Sequence, residues 1–101
     1  MSMSKHQYLL GKIAEEAAEL AQRALKAQQY GVGEIQSGQP FTNLQRMKHE
    51  LLDVLVWVGK LDDLTGDEPL GYDDVLHHAK LTHHGQEEML ELSRKCGMTR
   101  R

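Results

Sequence analysis

Two short carboxylate pairs carry the chemistry that this chain could do. The first is Glu16-x-x-Glu19, inside Glu15-Glu16-Ala17-Ala18-Glu19, and the second is Glu50-x-x-Asp53, inside Glu50-Leu51-Leu52-Asp53. Residues three apart on a helix are neighbours on one surface. Two facing helices would therefore gather four acids in one place. Ionised carboxylates set beside apolar residues lose hydration and repel one another. The chain can protonate some, pair them with Lys or Arg, or bind a divalent cation. All-oxygen donors select Mg²⁺, with Mn²⁺ as its substitute, over zinc or iron. Lys12, Arg46 and Lys48 are the cations near the pairs in sequence, too few to neutralise four acids. A di-iron bundle would use Glu-x-x-His, and neither pair contains His.

The elements that must position these acids read as helices. Leu9, Leu10, Ile13, Ala17, Leu20, Ala24 and Leu25 recur at helical spacing, so a first helix is expected from about Ser4, a fit N-cap, to Tyr30. Gly31 and Gly33 end it and open a Gly-rich connection over 31–42. Leu44, Met47, Leu51, Val54, Leu55, Val58 and Leu61 predict a second helix that begins after Thr42 or Asn43 and continues to about Leu64. Leu52, Val56 and Trp57 add apolar surface on its other sides, as befits a central helix or a subunit interface. After the turn residues 65–71, a weaker pattern predicts a third helix from near Asp73 to about Cys96, with Gly85 as a point where it can break.

On a helical wheel at about 100° per residue, Glu16 is flanked by Leu9 and Leu20, and Glu50 lies between Leu61 and Trp57. Both wheels place an acid pair at the edge of the apolar stripe. Glu15 points outward. Glu pairs at this spacing are also common on solvated helix faces, and either pair alone would carry little weight. Two such pairs on adjacent helices carry more.

The bulk properties bound the answer. The 101 residues suit one domain, 1–101, with a modest core that oligomerisation would complete. With 40% hydrophobic and 27% charged residues the composition is that of a folded protein rather than a disordered one. The net charge of −3 and the lack of a basic stripe argue against a nucleic-acid polymer as partner. The single Cys96 cannot form an internal disulfide and fits a reducing, cytoplasmic setting. No apolar run is long enough to span a membrane, and the N-terminal residues do not read as a secretory signal.

At the acid pairs the chain resembles a known family. Glu15-Glu16-x-x-Glu19 followed by Glu50-x-x-Asp53 is similar to the signature of the all-α nucleoside triphosphate pyrophosphohydrolases, the MazG-like group, which includes dimeric dUTPases, dCTP pyrophosphatases and phosphoribosyl-ATP pyrophosphatases. The resemblance spans roughly residues 9–62, about half the chain. It implies an all-α fold: an antiparallel bundle of three to four helices, two long ones carrying the acids, completed as a homodimer or homotetramer. It implies Mg²⁺-dependent cleavage of a nucleoside triphosphate between its α and β phosphates, in nucleotide-pool housecleaning. By position, Glu16, Glu19, Glu50 and Asp53 would hold the metal, and Glu15 would assist from outside. Two departures are evident. The stretch between Glu19 and Glu50 is long for the family, and the third helix offers Lys80 with His77-His78 and His83-His84 instead of a cluster of Lys, Arg and Asn.

Within that frame Glu16 or Glu19 would take a proton from the attacking water. Lys12 and Lys80 are candidate phosphate cations. Trp57, one turn beyond Asp53, is a candidate stacking face for the base, with Tyr8 and Phe41 behind it. The competing readings are a non-catalytic helical dimerisation or interaction module and, among enzymes, a phosphoribosyl-ATP pyrophosphatase.

Overall fold

Two of the three described helices begin where the sequence supplies side-chain caps. The computed structural model describes residues 2–100, and among them it contains α1 (Lys5–Tyr30), α2 (Asn43–Thr65), α3 (Tyr72–Lys95) and no strand. At α1 the Gln7 amide N–H donates to Ser4 Oγ at 3.1 Å, and the Ser4 N–H donates to Gln7 Oε1 at 2.8 Å. At α2 Thr42 and Gln45 repeat this reciprocal arrangement at 3.1 and 2.9 Å. Each box satisfies two amide groups that a helix start leaves orphaned. Gly66 ends α2 at φ 78°, a left-handed conformation that costs a side-chain-bearing residue energy. α3 runs unbroken through Gly85. No described helix is long and apolar enough to cross a membrane.

The chain divides into two compact units, Met1–Pro69 and Leu70–Arg101. In the first, α1 and α2 form an antiparallel hairpin. Leu9 near the start of α1 lines a surface depression together with Leu64 near the end of α2, while Asn43 at the start of α2 reaches Gly31 after α1. Asn43 is 2% exposed and anchors the connection. Its Nδ2 donates to the Gly31 carbonyl at 2.9 Å and to Glu34 Oε1 at 3.3 Å. Its own amide N–H donates to the Glu34 carbonyl at 2.8 Å, and that of Leu44 to the Val32 carbonyl at 3.0 Å. A buried polar side chain is tolerable only when partnered in this way.

The hairpin seam follows alternating three- and four-residue steps. On α1 it comprises Leu9, Ile13, Glu16, Leu20, Arg23 and Ala27; on α2 it comprises Asn43, Met47, Glu50, Val54, Trp57 and Leu61. Each of these positions is buried or half-buried, and the spacing is that of helices packed at a shallow angle. The expected apolar face of α2 is thus rotated. Leu51 and Leu55 stay exposed because Val54, Trp57 and Leu61 take the inner side. Among the described residues, Leu9 and Ala27 are the only hydrophobic ones that are buried.

Candidate functional site

The seam carries both acid pairs into the hairpin. Glu16 and Glu50 are half-buried seam residues on opposite helices, and Asp53 is exposed one turn after Glu50. One carboxylate oxygen each from Glu16, Glu50 and Asp53 lies within 4.8 Å of the other two. Glu15, Glu16 and Glu19 form a second such group, so Glu16 belongs to both. Glu19 therefore joins Glu50 and Asp53 through Glu16 rather than as an equal fourth corner. The sequence pattern alone does not distinguish these arrangements, since it leaves the rotation of the two helices free.

The electrostatics are those of an uncompensated cluster. Among the described residues the ion pairs are Lys12–Glu15, His84–Glu88 and Arg94–Glu91, and none reaches Glu16, Glu19, Glu50 or Asp53. Arg46 Nη1 donates instead to Gln36 Oε1 at 2.9 Å. Glu50 Oε2 is enclosed and has no hydrogen-bond partner. An acceptor deprived of both water and donors is costly to leave unmet. Partial burial pushes the Glu16 carboxyl up to about 7; the charge of Glu19, the close approach of the Glu50 carboxyl and the charges of Glu50 and Asp53 act in the same direction. Each cause disfavours the ionised form.

Lys12, one turn before Glu16, is engaged elsewhere. Its Nζ lies 3.3 Å from Glu15 Oε2 and 5.8 Å from the centroid of the Tyr8 ring. The hydrogen bond and charge of Glu15 raise its pKa above the ordinary lysine value. Tyr8 meets Trp57 edge to face, with ring centroids 6.4 Å apart. The two aromatics lie on facing helices, so Trp57 belongs to the acid-bearing hairpin with Tyr8 as its neighbour. Phe41 packs edge to face on His49 at 4.7 Å. Lys80, His77, His78, His83 and His84 all lie on exposed α3, and His84 Nε2 is 2.9 Å from Glu88 Oε1.

Sequence reasoning missed two residues. Asn43 reads as an ordinary helix-start residue, and nothing in its spacing announces the connection that it anchors. Asp62 Oδ2 is a second enclosed oxygen without a hydrogen-bond partner, and lies outside both acid groups.

The donor set fits a hard dication. It is all oxygen, it includes a residue, Glu50, with one enclosed and unpartnered oxygen, and among the described residues no lysine or arginine is ion-paired to Glu16, Glu50 or Asp53. No protein-family model, no curated protein and no solved structure matches the chain.

Proposed function

We propose that the chain is a Mg²⁺-dependent nucleoside triphosphate pyrophosphohydrolase, releasing a nucleoside monophosphate and pyrophosphate. The observation that carries this reading is the gathering of Glu16, Glu50 and Asp53 oxygens within 4.8 Å of one another, with no lysine or arginine ion-paired to them among the described residues and one oxygen of Glu50 enclosed and unpartnered. The resemblance of the two acid pairs to the MazG-like family supplies the reaction class.

Glu16, Glu50 and Asp53 would hold Mg²⁺, with Glu19 at its edge beside Glu16. The ion, when bound, offsets charge on the phosphates and makes a tetra-anionic substrate compatible with an acidic site. Water attacks phosphorus, the bridging α–β bond breaks, and pyrophosphate departs. Glu16 or Glu19 accepts the proton of that water. Trp57, backed by Tyr8, offers an aromatic face to the base. Lys12 and Lys80 remain phosphate candidates, Lys12 by exchanging its weak exposed pairing with Glu15 for a phosphate oxygen.

The exposed Leu51, Leu52, Leu55 and Val56 on α2 and Leu10 and Leu25 on α1 favour a homodimer or homotetramer that completes the bundle. The lone Cys96 is in keeping with a reducing cytoplasm as the site of action. Assays of common and damaged dNTPs and of phosphoribosyl-ATP for Mg²⁺-dependent pyrophosphate release test the reaction and its substrate. If every substrate in that panel stays intact, the hydrolase reading fails. The same exposed leucines favour a second reading, a non-catalytic interaction module. That module would show no Mg²⁺ effect on melting and would be stabilised by acid-to-amide changes.

A further inference from the structure

The acid group separates two unlike ends of the α1–α2 hairpin. Toward the open end, Lys12 lies one turn before Glu16, Tyr8 a turn before Lys12, and Trp57 a turn after Asp53. These side chains already have partners: Tyr8 meets Trp57 edge to face, and Lys12 pairs with Glu15. Toward the 31–42 connection the hairpin carries cations instead. Arg23 follows Glu19 by four residues and Lys26 follows it by seven, while Arg46 precedes Glu50 by four and Asp53 by seven. Steps of four and seven return a helical residue to nearly the same face. The three cations therefore stand on the acid-bearing sides of their helices, displaced toward the connection by roughly 6–11 Å of helical rise.

Arg23, Lys26 and Arg46 are half-buried, and among the described residues none of them is ion-paired. Two of them converge on one side chain. Lys26 and Gln36 line a surface pocket of about 300 Å³ together with Tyr30, Glu34 and Ser37, and Arg46 Nη1 donates to Gln36 Oε1 at 2.9 Å. Gln36 is neutral, so this hydrogen bond leaves the guanidinium charge uncompensated. The carboxylate in the pocket lining, Glu34, accepts from Asn43 Nδ2 at 3.3 Å. Arg23 neighbours Lys26 at three residues' spacing on α1. Like charges that are partly desolvated and lack a counter-ion favour an anion. Arginine's paired donors match phosphate oxygens. A ligand that also reaches the acid group must carry a cation of its own, and Mg²⁺-diphosphate meets both demands.

We infer that Arg23, Lys26 and Arg46 form the subsite for the two phosphates that leave, with the nucleotide laid along the hairpin, base at the Tyr8–Trp57 end and β- and γ-phosphates toward the connection. The orientation rests on the hydrolase reading, whereas binding of diphosphate at the three cations needs no turnover. Water adds to the α-phosphorus, the bond to the α–β bridging oxygen breaks, and its electron pair stays on that oxygen as part of pyrophosphate. The cations offset the charge that arrives there. The phosphate-binding cations that α3 does not cluster are thus gathered on α1 and α2.

Calorimetric titration of the full chain with pyrophosphate at saturating Mg²⁺ tests the subsite. Lys26→Gln and Arg46→Gln should each weaken binding at least about tenfold, the loss of one hydrogen bond to a charged group. Lys95→Gln, on α3, should match the wild type. Lys26→Gln leaves the Arg46–Gln36 contact in place, so its result does not depend on the connection staying intact. The four deoxynucleoside monophosphates, titrated in the same way, should bind the Lys26 and Arg46 variants as they bind the wild type. Wild-type affinity for pyrophosphate in both variants, or no pyrophosphate binding to the wild type, overturns the inference. Weakened monophosphate binding with unchanged pyrophosphate binding reverses the orientation and overturns it too. Triphosphate cleavage together with unchanged pyrophosphate affinity would remove the subsite and leave the hydrolase reading standing. Pyrophosphate binding that weakens in both variants of a chain that cleaves no triphosphate would do the opposite.

Discussion

Replacing Glu50 by Gln keeps the shape of a half-buried seam residue and removes one charge from a group of three whose oxygens lie within 4.8 Å of one another. Without a divalent cation the substitution relieves repulsion and gives the enclosed Oε2 position a way to donate or accept as a neutral amide. Glu50→Gln should then melt above the wild type in EDTA. Magnesium reverses the order. A ligand that binds only the folded state at about 100 times its dissociation constant adds about 2.7 kcal/mol. For a domain of this size each kcal/mol moves the midpoint by roughly 4–8 °C, so the wild type should gain roughly 11–22 °C. With one of three ligands gone, Glu50→Gln should gain only a few degrees at the same Mg²⁺ concentration. Scanning calorimetry at one fixed protein concentration, with EDTA and with a Mg²⁺ titration, reads both effects. Equal Mg²⁺ shifts in the two proteins would refute the placement of the ion at Glu50. No shift in either would remove the metal from the account altogether.

Three further outcomes follow from the same geometry. Glu50→Gln and Asp53→Asn should each lower Mg²⁺-dependent pyrophosphate release at least roughly a hundredfold in a coupled phosphate assay, because each removes a ligand that positions transition-state charge stabilisation; near-normal turnover would exclude these carboxylates from the chemistry. The Glu16 carboxyl titrates at about 7 in the folded chain, above its ordinary value of 4.5, so the folded state holds its proton more tightly. Its contribution to stability is full below about pH 4.5 and is lost as pH rises through about 7. In EDTA, raising the pH through that window should therefore lower the melting temperature of the wild type more than that of Glu16→Gln, and parallel curves would contradict the shift. Asn43→Ala strips the Gly31 carbonyl of its side-chain donor in a 2%-exposed position, which should cost about 1–3 kcal/mol in urea unfolding. A change within about 0.5 kcal/mol, the usual surface value, would show that the connection does not depend on this residue.

The seven-residue spacing of the seam residues, the Ser4 and Thr42 caps and the glycines after each hairpin helix are local properties. The sequence alone therefore determined that the described chain is helical, roughly where its helices begin and end, and that two acid pairs lie within a few positions of buried residues. It determined these things because helix period, capping and glycine conformation act over three or four residues. Tertiary structure decided the rest. It rotated α2 so that Trp57 and Val54 turned inward while Leu51 and Leu55 stayed outside, a choice between apolar faces that α2 offers on most of its circumference. That rotation brought Glu50 opposite Glu16 and left Glu19 grouped with Glu15. It also enclosed one oxygen of Glu50, sent Arg46 to Gln36 rather than to the acids, and buried Asn43 against a carbonyl twelve residues away. Such outcomes depend on which side chains meet across a gap between helices, and no local periodicity encodes that meeting.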